Sequence, residues 1–131
     1  MILVDTSVWI DFLEGGDHWT KERLKKKIND RESIAYLDLI LLEIIQGVSD
    51  RKDRERIEDR FNTLVCLNLK RSSIMLAAEI YQELQRKGIR IRSIIDCLIA
   101  ATAIETGATV LHKDRDFDRI EDYYPIIVEK Q

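Results

Sequence analysis

Cysteine, histidine and long apolar runs are all scarce in this chain, and each shortage removes a class of function. The two cysteines, Cys66 and Cys97, form no CxxC pair and do not cluster with His18 or His112, so a zinc site is not expected. Both thiols lie in apolar surroundings and read as small core residues. No apolar run approaches the roughly 20 residues that span a bilayer, so no membrane association is expected. Asp5 interrupts the first apolar stretch, MILV, so no signal peptide is expected and the cytoplasm is the expected compartment. Positive charge is not in excess either. Lys and Arg number 21 against 24 Asp and Glu, a net charge of −3, so global charge is not what would hold a nucleic acid. Repeats, linkers and low-complexity tracts are absent.

What is present is enough for one domain spanning 1–131, with 45% apolar residues to build a core. The 34% of charged residues, both signs mixed, belongs on solvated helix faces. Short apolar runs at 2–4, 33–36, 65–67, 108–112 and 125–128 read as strands. Between them lie helical patterns: VWIDFL with Thr6 or Ser7 as cap, an amphipathic 18–29, a largely buried 38–48, a solvated 51–64, a long 72–86 capped by Ser72 or Ser73, and an apolar 93–106. A short acidic helix follows 108–112. Strands alternating with helices predict an α/β fold, a three-layer α/β/α sandwich around a central, mostly parallel sheet.

Five carboxylates stand at the margins of these apolar elements. Asp5 follows the first strand, Asp114 and Asp116 follow the strand at 108–112, Asp96 opens an apolar helix, and Glu43 lies inside another. Ligands of open parallel sheets bind beyond the carboxyl ends of the strands, where Asp5, Asp114 and Asp116 fall. Buried acids need a partner. For Glu43 that partner is an arginine or a shared site; Asp5 and Asp96 also suit a helix N-terminus. If the acids converge, an all-oxygen set selects Mg²⁺ or Mn²⁺. Such an ion activates water against a phosphodiester. Ser7 either bonds Asp5 or meets a phosphate oxygen. Arg86, Lys87, Arg90 and Arg92 precede Asp96 closely and suit phosphate contacts at the mouth of such a site. The basic run KERLKKK reads as a solvated face. Trp9, Phe12 and Trp19 suit either the core or an apolar groove for a partner helix. A phosphate-transferring enzyme with Asp5 as nucleophile wants a second Asp two residues on, and Ser7 stands there instead.

MILVDTSVWIDFLEGG, LLEIIQGV and GIRIRSIIDCLIAATAIETGATVLHKDRDFDRI together resemble, in order, the four motifs of PIN domains, and of VapC-type toxins in particular. The resemblance covers nearly the whole chain, with 51–87 its least diagnostic part. It implies a PIN-like fold and Mg²⁺- or Mn²⁺-dependent endoribonuclease activity. It further implies the toxin role in a type II, VapBC-like pair with a small antitoxin, an RNA substrate and a homodimer. It assigns Asp5, Glu43 and Asp96 to the first three acids and either Asp114 or Asp116, or both, to the fourth. The metal ligands it implies are Asp5, Asp96, Asp114 and Asp116; Ser7 and Arg92 are expected as substrate contacts from their placement alone. His112, where a threonine is common, either meets RNA or packs; Arg90 and Arg92 replace small or hydroxyl residues. The competing expectation is a catalytically silent PIN-fold module that binds RNA or protein.

Overall fold

A computed structural model describes residues 1–131. Five short strands form one sheet: β1 (Ile2–Val4), β2 (Ile34–Tyr36), β3 (Val65–Cys66), β4 (Thr109–Leu111) and β5 (Ile127–Val128). Their order across the sheet is β3-β2-β1-β4-β5 and every pairing is parallel. β1 and β2 are buried along their whole length, as a sheet covered on both faces requires.

Seven helices connect the strands: α1 (Thr6–Glu14), α2 (Trp19–Asn29), α3 (Asp38–Ile45), α4 (Arg51–Phe61), α5 (Arg71–Arg86), α6 (Ile94–Thr106) and α7 (Arg115–Glu121). The chain winds outward from β1 through β2 to β3, then crosses back to β4 and β5 on the other side. Right-handed crossovers make each change of direction a change of face. Accordingly α1 packs on α2 and α3, and α3 on α4, while α5 packs on α6 and α6 on α7. The result is the expected three layers, with a sheet that is wholly rather than mostly parallel.

One cluster of 29 buried apolar residues fills the space between layers. Trp9 is fully buried, with its ring 4.8 Å from Phe61 and 5.9 Å from Phe12, and Tyr36 closes the group with its ring 4.9 Å from Phe61. Trp9 is therefore core, not groove; Phe12 and Trp19 are half-buried beside it.

Local departures from the sequence expectations have local causes. Asp5, not Thr6 or Ser7, caps α1, because its carboxylate reaches the Ser7 N–H while Thr6 already has helical geometry. Helix α5 starts at Arg71, and Ser73 sits inside its first turn, where its hydroxyl accepts the Lys70 N–H. Helix α3 is only half covered: Ile40 and Ile44 are buried, but Leu42 is 60% exposed. Cys66 is exposed on the edge strand β3, so only Cys97 is a core thiol. Gly15 and Gly107 end α1 and α6 with φ of 81° and 73°, the left-handed geometry that glycine adopts without steric cost.

Candidate metal centre

The sheet reverses its direction of winding at β1 and β4, so their carboxyl ends face a crevice that no crossover covers. Helices that return a chain between parallel strands run against them, so their N-termini lie at that same edge. Three helix starts meet there. Asp5 is the cap of α1, Asp114 is the cap of α7, and Asp96 lies in the first turn of α6. A backbone bond from Asp5 to the Leu111 carbonyl, 2.9 Å, fastens the end of β1 to the end of β4 and sets the first carboxylate beside the fourth motif. The positive ends of the three helices offset part of the cost of crowding acids together.

Carboxylate oxygens of Asp96, Asp114 and Asp116 lie within 4.8 Å of one another. Asp5 adjoins them closely enough for its charge to act on Asp96 and for Asp114 to act on it. Asp5, Asp96 and Asp116 are buried, with Asp116 fully so; the Asp114 side chain is 26% exposed. Three of them, Asp5, Asp114 and Asp116, are held by hydrogen bonds. The Asp5 Oδ2 accepts from the Ser7 N–H at 3.1 Å and from the Ser7 hydroxyl at 2.5 Å. The Asp114 Oδ1 accepts from the Asp116 N–H at 3.0 Å, and the Asp116 Oδ2 from the Arg92 N–H at 2.9 Å. Two buried oxygens remain without a hydrogen-bond partner, Asp96 Oδ2 and Asp116 Oδ1; Arg119 comes no closer than 3.6 Å to the latter.

The electrostatics follow from burial and like charge. Burial, then the charges of Asp5 and Asp114, push the Asp96 carboxyl up to about 9. Burial likewise raises Asp5, against the lowering effect of the Ser7 bonds. Cys97, next to Asp96, is pushed up to about 12 by burial and by the neighbouring acids, so its thiol is inert. A crowded carboxylate cluster in which Asp5 and Asp96 resist ionisation is what a cation site is without its cation. Unpartnered buried oxygens and an all-carboxylate donor set fit a hard divalent ion, which takes oxygen ligands and keeps part of its water.

Glu43 stands apart from this cluster. It is only half-buried, and its Oε1 accepts from the Thr6 hydroxyl at 2.7 Å, so its partner is a threonine beside Asp5, not an arginine. It also lines a groove of about 940 Å³ between α1, α3 and α4, with Ile10, Leu13, Asp53 and Arg60 among the walls. The Ser7 hydroxyl is spent on Asp5 and on the Lys113 N–H, 3.3 Å away. Arg92, with its side chain 72% exposed, reaches within 3.7 Å of Asp114. Arg86 and Lys87 are instead drawn to Glu83, and Lys87 lies over the Tyr123 ring. His112 packs on Phe117 with ring centroids 4.8 Å apart, and its burial lowers its basicity, so it is a neutral core residue. Sequence reasoning missed Thr6 as the Glu43 partner, and it missed Arg119, which bonds the Arg90 carbonyl at 3.0 Å and faces Asp116. No local pattern marks the Thr6–Glu43 or the Arg119–Arg90 bond, because each joins distant elements; Arg119 and Asp116 are three residues apart on α7.

A comparison with protein families matches the PIN domain over residues 2–123. The chain belongs to the PIN-domain family. Among curated relatives, the VapC ribonuclease Mb1587 of Mycobacterium bovis and ribonuclease VapC11 of Mycobacterium tuberculosis are each 36% identical to it over 122 residues, 92% of this chain and 91% of theirs. Among solved structures, VapBC-1 from nontypeable Haemophilus influenzae superposes with a TM-score of 0.76 at 19% identity, covering 98% of this chain and 97% of that one. DNA-bound VapBC from Salmonella typhimurium gives 0.74 at 25% identity, covering 98% and 96%. This PIN domain is thus of the VapC type in sequence and matches VapBC structures in fold.

Proposed function

We propose that this PIN domain is a divalent-metal-dependent endoribonuclease, the toxin of a type II, VapBC-like pair. The carboxylate cluster at the β1–β4 crevice carries the reading, since its unpartnered oxygens answer to a cation and its relatives are named ribonucleases. Asp5, Asp96, Asp114 and Asp116 would hold Mg²⁺ or Mn²⁺. When bound, such an ion lowers the pKa of a water and neutralises charge on the phosphate. The chain's own residues then do the positioning. Ser7 fixes the Asp5 carboxylate, the Arg92 N–H fixes Asp116, and Asp114 is set by its bond to the Asp116 N–H. The exposed Arg92 guanidinium sits where an RNA phosphate would approach Asp114, which suits it to substrate binding. Glu43, tied to Thr6 on the groove side, supports the Asp5 end of the site. An antitoxin with a cationic, amphipathic segment suits the groove between α1, α3 and α4, and a homodimer is the expected assembly. A catalytically silent module is disfavoured, because all the acids are present and three of them converge.

The test is cleavage of RNA in Mg²⁺ or Mn²⁺, with and without EDTA, for the parent chain and for Asp5→Asn and Asp96→Asn. Loss of several orders of magnitude in rate is expected from the chelator and from each variant. Full cleavage by both variants would remove the assigned roles.

A further inference from the structure

Lys113 immediately precedes Asp114 and is gripped at two points by α1. Its backbone N–H donates to the Ser7 hydroxyl at 3.3 Å, and its ammonium meets the Asp11 Oδ2 at 2.6 Å. Ser7 and Asp11 are four residues apart, so they project from one face of α1, one turn from each other. The ion pair is not a loose surface contact: its side chains are 27% and 18% exposed. On its far side the Asp11 carboxylate is fenced by Gly16. A Cβ built at Gly16 would lie 2.5 Å from Asp11 Oδ1 and 2.6 Å from its Cγ. Gly16 does not have the positive φ of Gly15, so backbone geometry does not demand glycine there. A side chain there would instead have to displace the Asp11 carboxylate.

We infer that Asp11 and Lys113 form a positioning couple that sets Asp114 against Asp5. The helix that carries Asp5 at its cap reaches across the crevice through Asp11 and seizes the loop that carries Asp114. Neither residue touches the reacting atoms. The inference rests on the metal-binding reading of the carboxylate cluster, and it concerns how well that cluster is preformed. Partners that orient metal ligands from behind commonly change metal affinity by about 10–100-fold when removed.

The sign of one substitution separates positioning from simple electrostatics. Lys113 is a cation next to the carboxylates, so through its field alone its removal should tighten binding of a divalent ion. Through positioning, its removal should weaken it. The substitution leaves the backbone bond to Ser7 in place, so it isolates the ammonium. The experiment is a Mn²⁺ titration of the full chain by calorimetry, with the metal-free melting temperature of every variant measured beside it. The parent chain must bind Mn²⁺ for the underlying reading to stand, and that arm is scored by itself. Lys113→Met is expected to weaken Mn²⁺ by about 10-fold. Asp11→Asn and Gly16→Ala should match it, and Asp11→Asn with Lys113→Met should be no worse than either alone. Lys113→Arg, which keeps the ion pair, should bind as the parent does. Unchanged or tighter binding by Lys113→Met in a folded protein overturns the couple, and so does additive loss in the double variant. If Lys113→Met does not fold, Gly16→Ala decides: parent-like affinity there overturns the inference.

Discussion

Replacing Asp96 by asparagine should make the metal-free protein more stable, and increasingly so as the pH rises. The folded Asp96 carboxyl holds its proton up to about pH 9, against an ordinary value of 3.8. The folded state therefore keeps a proton that the unfolded chain gives up. Stability from this group is whole below the unfolded value, falls as pH rises past it, and stops falling only above about 9. One proton corresponds to about 1.4 kcal/mol per pH unit. Between about pH 5 and pH 8 the parent should thus lose about 4 kcal/mol relative to Asp96→Asn. Solvent screening will not erase this, because Asp96 is only 5% exposed. It is a large fraction of the roughly 5–15 kcal/mol that holds a domain together. Asp5 is raised as well, but it is common to both proteins and largely cancels in the difference. Urea unfolding of both proteins in EDTA, at several values across that range, measures the gap. Saturating Mn²⁺ should then stabilise the parent and leave the variant behind, reversing their order. Calorimetry in buffers of different ionisation enthalpy should also find about one proton released per site near pH 7, since Asp96 must ionise to bind. Stability curves that stay parallel from pH 5 to pH 8 would refute the account of a protonated, crowded carboxylate.

Ser7→Ala removes a bond that favours the ionised form of Asp5, so the onset of Mn²⁺ binding should move to higher pH and affinity near neutrality should fall by about 10-fold, as a pH series of titrations would reveal. Trp9→Ala empties a fully buried site against Phe61 and should cost about 3–5 kcal/mol in urea unfolding; a loss under about 1 kcal/mol would contradict its core placement. A thiol reagent near neutral pH should modify the exposed Cys66 in the folded chain and spare Cys97, which is buried and pushed up to about 12; mass spectrometry of the peptides distinguishes the two.

The separation between what was legible and what was not follows the range of the interactions. Strand β1 was legible because three consecutive apolar residues stop abruptly at an acid, and α6 because Ser93 and Gly107 bracket an apolar run with cap residues. Asp5 and Asp114 were legible as candidates because each closely follows a buried strand, and Asp96 because it opens a buried helix. The edge strands β3 and β5 were harder to bound, since two-residue strands with one open side carry little pattern. Cys66 misled for the same reason: apolar neighbours in sequence do not say which strand lies at the edge.

By itself the sequence determined the alternation of strands and helices, the parallel sheet, and the placement of four acids at the carboxyl ends of strands and the starts of helices, because these are properties of neighbouring residues. Only the tertiary structure decided that β1 and β4 are adjacent. That adjacency brings Asp5 to Asp114 and hands Lys113 to Asp11, while the packing of α1 on α3 gives Glu43 to Thr6 and the packing of α6 on α7 turns the Arg90–Arg92 loop toward Asp116. These are contacts across 24 to 106 residues of chain, and their cost in loop closure is met by packing the whole core rather than by anything local.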